Sequence, residues 1–86
     1  MINEISKEEY HEAWENGEKR YLDVKRVFHK IYHKYNGKFY VSLFIMKEWF
    51  IKCDDEDEIV NVNGEARDSL QEFITIHNRK QIIESL

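Results

Sequence analysis

Between Lys7 and Tyr35 the apolar residues recur in steps of four and three: Tyr10, Trp14, Gly17, Tyr21, Val24, Phe28, Ile31 and Tyr35. At 100° per residue they fall on one side of a helix, together with Ala13, Val27 and Tyr32. A half-buried strand would show period two instead. The spacing therefore predicts one long helix, roughly 43 Å from end to end at 1.5 Å per residue. Ser6 is placed to cap its start, with Glu9 three residues on in a capping-box pattern. Glu8, Glu9 and Glu12 at the start, and Lys30, His33 and Lys34 near the end, suit the helix dipole. Asn36-Gly37 supplies a left-handed stop.

Asn16-Gly17 interrupts this pattern, because an interior glycine costs about 1 kcal/mol relative to alanine. The rival reading is a short helix to Trp14 followed by strands, with Asn36-Gly37 as a hairpin turn. That reading pairs Tyr35 with Lys38 and sets Lys30 and Lys34 against apolar partners. The apolar phase is the same before and after Gly17, so the single helix, kinked there if at all, is the expectation.

Phe39 to Cys53 is apolar on every side and rich in Phe, Tyr, Val, Ile and Trp. Two strands, 39–46 and 48–53, with a turn near Lys47 fit that content. A buried helix aligning Phe39, Leu43, Met46 and Phe50 is the alternative, and would make the chain all-α. Asp54 to Glu58 reads as a mobile acidic loop and Ile59 to Val62 as a short third strand. Asn63 can cap a helix carrying Ala66, Leu70, Phe73, Ile74 and His77 on one face. The apolar phase shifts past Asn78, which predicts a break and a final short helix. The expected architecture is α+β in one domain, 1–86: a long N-terminal helix on a small antiparallel sheet of two or three strands, then one or two C-terminal helices. A chain of 86 residues buries only about 60–65% of its unfolded surface, so its core is small.

Charge is segregated along the chain. Residues 1–18 carry six glutamates against Lys7, and residues 19–38 carry seven Lys and Arg against Asp23. Residues 39–65 are acidic again, and the net charge is −4. Such blocks form patches of both signs. The single cysteine, Cys53, has no internal partner, which favours a reducing compartment. With no signal-peptide pattern and no apolar run long enough to span a bilayer, the expected location is the cytoplasm, away from membranes.

Candidate sites follow from these patches. Lys19, Lys25, Arg26, Lys30 and Lys34 would line the outer arc of the long helix and could track phosphates of RNA or DNA. Glu8, Glu12 and Glu15, with Asp54, Asp55, Glu56, Asp57 and Glu58, would form acidic surfaces for a basic protein. Tyr10, Trp14 and Tyr21 would form an aromatic interface patch, open to a partner or a second copy. As a calcium loop the acidic run fails, since Ile59 takes the place of the turn glycine. His29 and His33 are four apart but lack the intervening Glu of His-Glu-x-x-His and are surrounded by lysines, so neither a metal nor any other cofactor is expected. His77 reads as a core histidine. Cys53, beside Asp54 and Asp55, is a poor nucleophile and a buried structural thiol. No phosphate-binding glycine loop, zinc spacing or Ser/His/Asp signature is present, so an enzyme is not expected.

In size, acidity and lack of a catalytic motif the chain is like many small inhibitor or immunity proteins of bacteria and their phages, a likeness of composition only. The expectation is a non-enzymatic protein that blocks a basic, nucleic-acid-handling protein surface through its acidic patches. A nucleic-acid-binding module using a basic helix face and a homodimeric scaffold protein are the alternatives.

Overall fold

The computed structural model describes residues 1–24, 28–65 and 70–84, and their side chains except those of 22–24, 28–30, 45, 63–65 and 84. The elements are β1 (Ile2–Glu4), α1 (Lys7–Asn16), β2 (Glu18–Val24), β3 (Phe28–Tyr35), β4 (Lys38–Ile45), β5 (Lys47–Cys53), α2 (Glu56–Glu65) and α3 (Leu70–Glu84). The strands form one antiparallel sheet in the order β1-β5-β4-β3-β2. The chain is α+β, but with five strands rather than two or three and without a long N-terminal helix.

The helix begins as expected: Ser6 Oγ accepts a hydrogen bond from the Glu9 backbone N–H at 3.2 Å. It ends at Asn16, and Gly17 turns the chain into β2. A Cβ at Gly17 would lie 2.5 Å from the Ala13 carbonyl oxygen and 2.8 Å from that of Lys34. Only a glycine lets the two backbones approach so closely. Glu18–Val24 and Phe28–Tyr35 thus pair as an antiparallel β-ribbon, and the rival sequence reading holds. Tyr35 pairs with Lys38 across a turn in which Asn36 (φ 51°) and Gly37 (φ 76°) are both left-handed, as a tight hairpin with the sheet's own twist requires.

The strands β4 and β5 lie where the apolar content of 39–53 predicts, joined at Met46 with φ 65°. The all-α alternative is excluded. Glu56 to Glu65 is helical, so Ile59–Val62 is not a third strand and Asn63 lies inside a helix rather than at the start of one, while Ala66 falls outside the described residues. The last helix runs through Asn78 unbroken. The Asn78 side chain binds the outward backbone of β1 instead: its Oδ1 accepts from Ile2 N–H at 2.8 Å, and its Nδ2 donates to the Ile2 carbonyl at 2.7 Å.

Pleating sends alternate residues to opposite faces of the sheet. Phe39, Val41 and Leu43 of β4 join Ile51, Cys53, Ile2 and Tyr32 beneath Ile59 and Val62 of α2 and Leu70 and Ile74 of α3. On the opposite face Tyr40 and Phe50 meet Tyr10 and Ala13 of α1. The result is three layers, with two helices on one side of the sheet and the ten-residue α1 alone on the other. Among the described residues, no helix is long and apolar enough to cross a membrane.

Candidate docking surface

A ten-residue helix cannot cover one face of five strands. Laid across β3, β4 and β5, α1 shields Tyr40 and Phe50 and leaves the rest of that face open. Tyr10 and Ala13 point down and are buried. Glu8, Glu12 and Glu15, spaced i, i+4, i+7, are exposed on the side away from the sheet. Glu9 turns back to Lys52 at 3.4 Å, and Glu12 accepts from the Tyr35 hydroxyl at 3.4 Å.

Trp14 stands at the margin of α1, 45% exposed, with its ring 4.4 Å from that of His33. His33 is only 3% exposed, and its Nδ1 has no hydrogen-bond partner. Burial lowers the pKa of this imidazole, and the Lys19 charge lowers it further, which holds it neutral beneath the indole. Further out on this face lie Tyr21 of β2, 65% exposed, and Phe44 of β4, 78% exposed. Trp14, Tyr21 and Phe44 are thus exposed rings on the α1 side of the sheet, and Glu8, Glu12 and Glu15 are exposed on α1 itself. Beside Trp14, a recess of about 400 Å³ opens between α1 and β4–β5.

The expected aromatic patch thus divides: Trp14 and Tyr21 are presented to solvent, and Tyr10 is buried against Trp14 and Phe50. Phe44, Ser42, Glu48 and Phe50 belong to the same surface and were not singled out from sequence. Period-two counting from Tyr40 places Ser42 and Phe44 on its face, but only once 38–45 is known to be a strand.

The acidic run has a different fate. Glu56, Asp57 and Glu58 form the first turn of α2, where carboxylates suit the helix dipole. Glu58 is buried: Oε1 accepts from the backbone N–H groups of Asp54 and Asp55, both at 3.1 Å, and Oε2 lies 2.5 Å from His77 Nε2. Asp54 takes the Lys38 ammonium at 2.7 Å and the Met1 amino group at 2.8 Å. Those two donors, Lys38 first, hold its pKa down to about 2. Glu56 accepts from Tyr32 and Arg20. Only Asp55 and Asp57 remain without an ion pair among the described residues, so this run is an organised helix start rather than a mobile loop.

The basic residues do not line one helix face. Lys19 is exposed on the α1 side, its ammonium 5.7 Å from the Tyr21 ring centre. Lys34 lies on the opposite side, 5.9 Å from the Phe39 ring centre. Lys30 pairs with Leu22 in the ribbon, and its side chain lies outside the described residues, as do Lys25 and Arg26. His33 is enclosed under Trp14, and the side chain of His29 is outside the described set. Among the described residues no cluster of three His, Cys, Asp or Glu could hold a metal. Cys53 is fully buried, and burial, helped by the Glu58 charge, pushes its pKa up to about 12.

No protein family, curated protein or solved structure matches the chain.

Proposed function

We propose that the chain is a small non-enzymatic binding protein, of inhibitor or immunity type, that occupies a basic surface of another protein with its α1 side. One observation carries this reading: Trp14, Tyr21 and Phe44 stay exposed on a single face, next to the exposed stripe of Glu8, Glu12 and Glu15. Large exposed rings cost solvation unless a partner covers them, and such rings dominate binding energy at interfaces. The stripe would steer a basic target and make association salt-sensitive. A basic groove of the kind that handles nucleic acid matches both features. The acidic contribution rests chiefly on α1, since Asp54, Glu56 and Glu58 of the second acidic run are engaged within the chain.

Affinity capture from the source organism tests this reading, comparing the wild type with Glu8→Lys/Glu12→Lys/Glu15→Lys and with Trp14→Ala. Both variants should fold and lose the partner, and the wild type should release it at high salt. Undiminished capture by the triple variant would remove α1 from the mechanism. Retardation of RNA or DNA by micromolar protein at low salt, abolished by Lys19→Glu, would favour nucleic acid as the partner instead.

A further inference from the structure

We propose that the recess between α1 and β4–β5 receives an arginine side chain, a reading that rests on the basic partner argued above and names the group it inserts. Three rings wall the recess: Tyr10, Trp14 and Phe50. The Tyr10 ring centre lies 5.0 Å from that of Phe50 and 6.2 Å from that of Trp14. The polar lining comes from both sides, Lys7 and His11 of α1 and Ser42 and Glu48 of β4 and β5. Ser42 lines the recess beside Tyr10, and Glu48 lies close enough for its charge to act on the Tyr10 hydroxyl. Glu48 is exposed, and among the described residues it has no ion pair.

Aromatic walls with one unpaired carboxylate fit a guanidinium. It is planar, stacks on indole, and presents a fork of N–H donors to a carboxylate. A lysine ammonium is more strongly hydrated and does not stack. An apolar side chain would remove water from Glu48 without replacing its hydrogen bonds. An acidic side chain would meet Glu48 directly, with Glu8, Glu12 and Glu15 on the adjoining helix. Lys7 is the one lysine of the lining, at the first turn of α1, and His11 completes it. The recess, about 400 Å³, has room for an arginine side chain with water around it.

The probe is N-acetyl-arginine methylamide, titrated into the full chain while amide and indole N–H signals are followed by NMR, with the lysine and leucine analogues as controls. A fragment this small binds in the millimolar range at best. The arginine probe should give saturable shifts at the Trp14 indole and at the Ser42, Glu48 and Phe50 amides. Glu48→Gln, which keeps the shape of the site, should weaken the response by about fivefold or more. An equal response to the leucine analogue, or an unchanged response in Glu48→Gln, overturns the assignment. If the recess ignores arginine while reversal of the α1 stripe still abolishes capture, the arginine reading falls alone. If the stripe variant also captures normally, the docking surface falls with it.

Discussion

The two faces of the sheet are built from alternate residues of the same strands, yet they meet different fates. Beneath α2 and α3, the side chains of Val41, Ile51, Cys53, Ile59 and Ile2 have no exposed surface. Beneath and around α1, burial stops at Tyr10, Ala13, Tyr40 and His33, and one strand register further on Phe44 is bare. Stability is concentrated where burial is complete. Residues on the other face are under no such constraint, so exposed rings there need another reason to be large and aromatic. Recognition of a partner supplies one.

The largest effect should separate the two faces directly. Ile51→Ala, on the closed side, should cost about 2–5 kcal/mol in urea unfolding, because it leaves a cavity between sheet and helices. Phe44→Ala, on the open side, should change stability by no more than about 0.5 kcal/mol while weakening capture of the partner. Equal losses of stability would erase the contrast.

Gly17→Ala comes next. Its new Cβ would meet two carbonyl oxygens, and overpacking of this kind costs about 1–3 kcal/mol, measurable by the same unfolding curves. A neutral result would mean that α1 can lift away from β3.

The smallest effect is in the pH dependence, where each face contributes its own limb. The native imidazole of His33 resists protonation, so the unfolded chain takes up more protons once pH falls below the usual histidine value of about 6.5. Stability should therefore fall from there downwards, and His33→Phe should flatten that limb. Asp54, depressed to about 2, contributes stability that is complete above the ordinary aspartate value and is lost as pH falls through about 2. Asp54→Asn should flatten only this second limb. Melting temperatures recorded from pH 7 to pH 2 distinguish the two.

Local signals in the sequence were readable where the cause is local. The Ser6 cap depends on residues three apart, and the strand content of 39–53 is a run of ring-bearing and branched side chains. Period failed in β3. At its centre Tyr32, packed toward α2 and α3, and His33, facing α1, are each 3% exposed. A strand buried on both faces loses its alternation, and its residues then fall into a helical phase with those of α1 by coincidence. The rejected hairpin gained its advantage from Gly17, whose close approach to Lys34 involves a residue far along the chain. The acidic run misled for a similar reason. Glu58 is buried because His77 and the Met1 amine reach it from 19 and 57 residues away. The docking face was legible only in Trp14 and Tyr21, since Phe44 and Glu48 need the β4–β5 register to be placed.

Asn78 bonds both outer backbone groups of Ile2 with its amide, in the manner of one more strand. β1 is thus held between β5 on one edge and α3 on the other. Ile2 pairs with Cys53 across β5 and with Asn78 beyond it, so β1 is held from both sides by residues 51 and 76 positions away. Contacts of such long sequence separation slow folding.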